Sequence, residues 1–474
     1  MKTHLFVFLF ILGFVSAASA SGKDSVDILM NRGEFTKAGE LIDHLLTTET
    51  DQAKISELTF KKDLMRRIRL DFRRTREEVI TYIKKYYDTV TDAMMDEWER
   101  SGHLEMRMID GEKKYFGNAA PNLFRVNAEA KKKKIEKEGN LPDTLDTFLE
   151  KEIPQIIQAA AKAGGRFTAP KTIELHYTLS VKADMVPEGE IIRCWMPFPR
   201  ATVRQSDIQL LSASQDNYII APEEQLHRSI YMEKKAEAGK KTEFSFKVSY
   251  KAKSEYTNLL TAVNPQPFDA KLLAEHISER PPHIVFTDKI KALSAQLVKP
   301  GMTDIEKLTS FYTWISSNIP WASALEYSTI PNISDYCITN GKGDCGIKTL
   351  LFMTLARYNN IPAKWQSGWM LHPGSLNLHD WAEVYIGGLG WVPVDQSFGV
   401  QDLLKDDAKY FFLGSTDYYH LTVNDDYSRG FFPAKKHHRS ETVDFQRGEV
   451  EWQGGNLYFD SWNYSMKVNF PNDK

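Results

Sequence analysis

The chain reads as an α+β protein in three parts: a helical N-terminal region, an antiparallel β-sandwich, and a core in which one helix packs on an antiparallel sheet. Three observations predict this. Up to about residue 165 the apolar residues recur at helical spacing among many charges; after Gly164-Gly165 the period becomes two; beyond Pro265 helical spacing returns and ends in a helix followed by three short strands.

Residues 1–20 read as a cleavable export signal. Lys2 and His4 precede an apolar run from Leu5 to Val15, and Ala18-Ser19-Ala20 is a small-x-small cleavage site. That run is too short to span a bilayer, so a secreted or periplasmic chain with no integral membrane segment after signal removal is expected. Residues 21–165 are assigned to a helical domain. Gly33-Glu34-Phe35-Thr36-Lys37-Ala38 and the leucines after it resemble half of a tetratricopeptide unit, but no second copy follows at the right period. Basic stretches at 61–76 and 131–134 are interleaved with acids, which reads as solvated helix faces. The whole chain holds 60 basic and 63 acidic residues, net charge −3, which argues against nucleic acid as a partner.

Residues 170–255 are assigned to the sandwich. Alternating runs at 173–181, 190–196, 207–212, 229–233 and 244–250 are separated by Pro, Gly and Lys turns. Cys194 lies in an apolar strand and reads as a core thiol. Three cysteines are too few for a disulfide framework, and the absence of any Cys-x-x-Cys spacing argues against structural zinc. Cys337, eight residues before Cys345, could bridge to it only if loop geometry cooperated.

Residues 265–474 are assigned to the catalytic core with a C-terminal β extension. Thr303-Asp304-Ile305-Glu306 is a capping box opening a helix with Ile305, Leu308, Tyr312 and Ile315 on one face. Asp344 is a candidate N-cap, which puts Cys345 in the first turn of a buried helix running to Tyr358. Free amides and the helix dipole there are expected to lower the thiol pKa and to hold an oxyanion. Strands follow at 363–369, 381–386 and 391–396, with His379 at the mouth of one hairpin strand and Asp395 on its partner. Side chains alternate across a sheet, so these two share a face only if paired residue numbers sum to an even value. That requires an odd-length loop, which Gly387-Gly388-Leu389-Gly390 permits. Aromatics after 420 read as β segments closing the core.

A thiol, an imidazole and a carboxylate in this order are the parts of nucleophilic catalysis: an attacking sulfur, a base that takes and returns its proton, and a group that orients the base. Gly343-x-Cys345, Asn360-Ile361-Pro362-Ala363, Ser367-Gly368-Trp369, His379-x-Trp381-x-Glu383-Val384-Tyr385 and Gly390-Trp391-x-x-Val394-Asp395 resemble the transglutaminase-like superfamily of papain-type thiol enzymes. Phe411-Phe412-Leu413-Gly414-Ser415-Thr416-Asp417 resembles the segment that follows the Asp in bacterial members. The resemblance implies a papain/transglutaminase-like core with Cys345 as nucleophile, His379 as general base and acid, and Asp395 as the orienting carboxylate. It implies an acyl-thioester formed from an amide or ester and resolved by an amine or water. No cofactor is expected, since no Asp-x-Asp-x-Asp-Gly run supports calcium. Asp380 and Gln396 stand where the family often has a small residue and a Pro.

The expected function is an exported cysteine enzyme cleaving amide bonds of a peptide or protein, including cell-envelope or glycosylated substrates. Glutamine transamidation and N-glycan release share its first half-reaction. A non-catalytic peptide- or glycan-binding protein on the same fold is the rival of another class.

Overall fold

The computed structural model describes residues 22–140, 143–260 and 266–471; the signal-like segment 1–20 lies outside them. The chain is a mixed helix-and-sheet protein with antiparallel sheets.

From Gly22–Asn31 to Thr144–Lys162 the first region is helical, and side chains of Asp51, Thr75, Thr91, Asn127 and Asp143 each accept a backbone amide at a helix start. One hairpin interrupts it. Met106–Ile109 pairs with Glu112–Tyr115 across Asp110-Gly111, both at positive φ (48° and 83°). Two consecutive left-handed residues in a two-residue turn are the signature of a type I′ hairpin. The basic stretch at 61–76 is more engaged than a solvated face. Lys61, Lys62, Arg66, Arg69, Arg74 and Arg76 each pair with a carboxylate. Arg67 is fully buried and donates to the carbonyls of Arg439 (2.8 Å) and Ser440 (2.9 Å).

In the sandwich, alternation decides burial. Ile173, Leu175, Tyr177, Leu179 and Val181 face inward from Lys171–Val181, opposite Phe244, Phe246, Val248 and Tyr250 of Thr242–Ala252. Of the C-terminal β segments that the sequence reads as closing the core, His420–Asn424 joins the core sheet, while the later ones go elsewhere. Glu449–Trp452 pairs with Ile191–Pro197, and Trp462–Asn469 pairs with Lys171–Val181, so the chain returns to complete both sheets of the sandwich. A partner strand distant in sequence leaves no local signature, which is why periodicity alone attached these strands to the nearer domain.

The core sheet has the order 390–394, 377–386, 363–370, 420–424. The helix Cys345–Tyr358 packs on it and is buried all round, from Gly346 to Arg357. The last strand crowds its neighbour: a Cβ at Gly368 would sit 1.9 Å from the Leu421 carbonyl oxygen, so only glycine fits there.

The regions are clasped by buried polar groups. Arg204 of the sandwich reaches Glu255 (2.8 Å), Gln366 (3.1 Å) and Glu383, the last two on the core sheet. The Asn122 amide of the helical region pairs with both backbone groups of Ser323 in the core (2.8 and 3.0 Å). Among the described residues no helix is long and apolar enough to cross a membrane.

Candidate active site

Local structure aims the three chemical groups. Asp344 caps the helix, its Oδ1 accepting the Ile347 amide at 3.1 Å, and Cys345 is the first helical residue. The amides of Cys345 and Gly346 have no carbonyl within their own helix to bond, so they remain as donors beside the sulfur. In the hairpin, Ile386 pairs with Gly390 and Ala382 with Val394, sums of 776 in each case, and three residues form the loop. The even sum puts Asp395, one step beyond Val394, on the same sheet face as Trp381 and His379.

The geometry follows. His379 Nε2 hydrogen-bonds Asp395 Oδ2 at 2.5 Å, with both side chains nearly inaccessible to solvent. Asp395 Oδ1 accepts the amides of Ser397 (2.9 Å) and Phe398 (3.0 Å), which fixes the carboxylate plane. Because Asp395 occupies Nε2, proton exchange with a thiol has to run through Nδ1. Cys345 and His379 line one cleft of about 650 Å³. Trp321, 42% exposed, lines the same cleft under the Arg125 guanidinium, 4.9 Å from the ring centre.

Two groups that sequence reasoning underrated stand close by. Asp380 Oδ2 accepts the Cys345 thiol at 3.3 Å and the Tyr327 hydroxyl at 3.3 Å, while Oδ1 accepts Gln446 Nε2 at 2.6 Å. The thiol is therefore not held down in pKa, as the helix start had suggested. Burial, then the carboxylates of Asp380 and Asp344, push it well above the ordinary cysteine range. In this arrangement it is a protonated donor.

The second is His420. Its Nε2 lies 3.0 Å from Asp395 Oδ2 and its Nδ1 2.8 Å from Asp417 Oδ1; the other Asp417 oxygen takes His372 Nε2 at 2.8 Å. An imidazole whose two nitrogens both face carboxylates must donate from both, which makes it an imidazolium. Burial opposes that charge, but Asp417 and Asp395 outweigh it and raise His420 to about 9. For Asp395, burial is likewise overcome, by the charge of His379 and the bonds from both histidines, and its carboxyl is held well below the usual range. The only sequence hint of His420 was its place just after the family-like segment ending at Asp417.

His372, Asp417 and His420, and likewise His379, Asp395 and His420, each bring their ligand atoms within 4.8 Å of one another. In both groups the atoms are engaged in the hydrogen bonds above, so a chain of shared protons accounts for them. Cys194, Cys337 and Cys345 are free thiols, and the first two are fully buried.

Residues 291–396, a span that contains Cys345, His379 and Asp395, match the family model of the transglutaminase-like superfamily. Among solved structures the chain is similar to a candidate cysteine protease from Cytophaga hutchinsonii, with 14% identity and a TM-score of 0.42 over 65% of this chain and 93% of that one. It is also similar to the periplasmic domain of TgpA from Pseudomonas aeruginosa, with 10% identity and a TM-score of 0.25 over 49% of this chain and 93% of that one. No curated protein matches the sequence. The segment 291–396 is thus a transglutaminase-like core, a fold of cysteine-based enzymes.

Proposed function

We propose that this core serves an exported cysteine enzyme that cleaves amide bonds of peptides or proteins, with Cys345 as nucleophile, His379 as general base and acid, and Asp395 as its orienting carboxylate. The observation that carries the reading is the buried His379–Asp395 bond in a cleft shared with Cys345. Export rests on the signal-like composition of residues 1–20.

In this reading the thiol has to leave Asp380 and reach His379 Nδ1 by rotation about the Cys345 side chain. Nδ1 takes the proton as sulfur attacks the carbonyl carbon, and the oxyanion meets the amides at the helix start. His379 returns the proton to the leaving nitrogen, the C–N bond breaks, and a thioester remains. Water then gives a proton to Nδ1 and attacks the thioester; the acid leaves and the proton returns to sulfur. Asp395 keeps the ring in the productive tautomer and stabilises its charged form throughout.

The test is turnover of cell-envelope and synthetic peptide amides, with products and acyl-enzyme identified by mass. Cys345→Ala should abolish turnover while leaving the melting transition nearly unchanged. Asp395→Asn should lower kcat by a factor on the order of 10⁴, the loss expected when the base is left in the wrong tautomer. Added primary amine should compete poorly with water; dominant amine incorporation would make the enzyme a transamidase instead. Failure of every amide to acylate Cys345 would return the protein to the binding class.

A further inference from the structure

The cleft is lined by carboxylates from the helical region, the core sheet and the C-terminal segment. Asp143 and Asp146 enter from the start of the helix Thr144–Lys162, Asp380 from the core sheet, and Glu441 and Asp444 from the C-terminal segment. Against them stands one arginine, Arg447, and its charge is committed: its guanidinium grips Glu326 with both terminal nitrogens, one at 3.0 Å, and lies 3.7 Å from Glu441. The other acids are mostly engaged too. Asp344 caps the nucleophile helix, Asp380 accepts three donors, and Glu441 accepts the Val443 amide at 3.0 Å.

Asp444 is different. It is 94% buried and lines the cleft, yet among the described residues no donor reaches its carboxylate within hydrogen-bond distance. Arg447 and Arg439 act on it only from beyond ion-pair range. Its backbone is held: Arg439 donates to its carbonyl, and two residues later Gln446 Nε2 donates to the His379 carbonyl (2.7 Å) and to Asp380. A buried carboxylate without a donor is costly, and a fixed one facing a cleft beside a nucleophile is completed by a donor that arrives with the substrate.

We propose that the cleft selects acyl donors bearing a cationic group, an ammonium or guanidinium, close to the scissile amide, and that Asp444 receives it. Burial, and after it the charge of Asp380, push the Asp444 carboxyl well above the usual range, and a cation brought beside it favours its charged form. The ordered segment and the surrounding carboxylates pre-organise a charge-assisted bond, and among the described residues no cation lies within ion-pair distance of the Asp444 carboxylate. The cation rides on the acyl donor, which distinguishes this from capture of a free amine as acyl acceptor.

This inference rests on the proposed amide chemistry, and two readouts separate the two. A synthetic hexapeptide library carrying Lys, Arg, norleucine, Gln or Glu at each position is digested by the wild-type enzyme, and products are sequenced by mass. Calorimetry then measures binding of selected peptides to Cys345→Ala. Cationic peptides should exceed their norleucine counterparts by tenfold or more in kcat/KM and in affinity, and Asp444→Asn should reduce that ratio toward one. Equal handling of Lys and norleucine peptides by the wild type overturns the proposal, as does a cation preference that survives in Asp444→Asn. If Asp444→Asn does not fold, the wild-type ratio and its loss in Asp444→Ser decide. If no peptide is cleaved, the amide reading fails, and binding by Cys345→Ala still decides the cation preference. A free-amine arm with methylamine should neither bind competitively at low millimolar concentration nor enter the product; if it does both, the cation belongs to the acceptor and the proposal is wrong.

Discussion

Asp395 carries two imidazoles on one oxygen, and their unequal roles follow from what lies behind each. His379 lines the cleft, whereas His420 has Asp417 behind it, so His420 holds its proton between two carboxylates. His420 titrates at about 9 in the folded chain against an ordinary 6.5, which means the native state binds more protons between those values. Its stabilisation is complete below pH 6.5 and lost as pH rises through about 9, an amount on the order of 3 kcal/mol. Urea melts of wild type should therefore weaken across that window, and His420→Gln should flatten the slope. As a positioning residue, His420 should also shift the pH profile of kcat/KM when replaced, which a merely structural role would not do. Asp380 works on the thiol instead. After burial it is the largest influence raising the Cys345 pKa, so Asp380→Asn should speed iodoacetamide labelling of Cys345 at pH 7 by about tenfold. Unchanged labelling would mean that the carboxylate does not control the thiol.

At the scale of elements, the start of the nucleophile helix is packed to the limit. A Cβ at Gly346 would lie 2.1 Å from Tyr327 Oη and 2.8 Å from Asp380 Oδ2, so Gly346→Ala must displace one or both. We expect a loss of about 1–3 kcal/mol in stability and a much larger loss in activity, because the displaced groups hold the thiol. Thermal melts beside labelling rates of Cys345 will separate the two. How much of this element was legible is clear from its parts. The N-cap and the first-turn cysteine follow from local rules, because caps are decided within a few residues, whereas the glycine-rich turn permitted the even register of the hairpin without fixing it. The fourth strand, His420–Asn424, was not legible: its contact with Gly368 depends on a long-range return of the chain.

For the whole molecule, the cleft forms where the helical region, the core and the C-terminal segment meet. Arg67, in the helical region, holds the carbonyls of Arg439 and Ser440, and the segment after them delivers Asp444 and Gln446 to the site. Arg67→Met keeps bulk but leaves both carbonyls without these donors. It should cost about 2–4 kcal/mol, since each abandoned buried acceptor costs about 1–3 kcal/mol and part is recovered by relaxation. It should also speed hydrogen exchange of amides in 439–447 and raise KM more than it lowers kcat. Exchange confined to the helical region would show that the clasp does not reach the cleft.

The sequence by itself determined the α+β class, the helical start of the chain, the alternation of the sandwich, and the candidate residues Cys345, His379 and Asp395, because each is written in spacing over a few turns or strands. Only the tertiary structure decided that the last strands complete the sandwich, that Arg67 is a buried clasp, that Asp380 accepts a hydrogen bond from the thiol and that His420 stands behind Asp395. Those depend on which distant segments share a low-dielectric space. There burial, and after it a carboxylate a few ångströms away, outweighs the helix terminus on which the local reading relied.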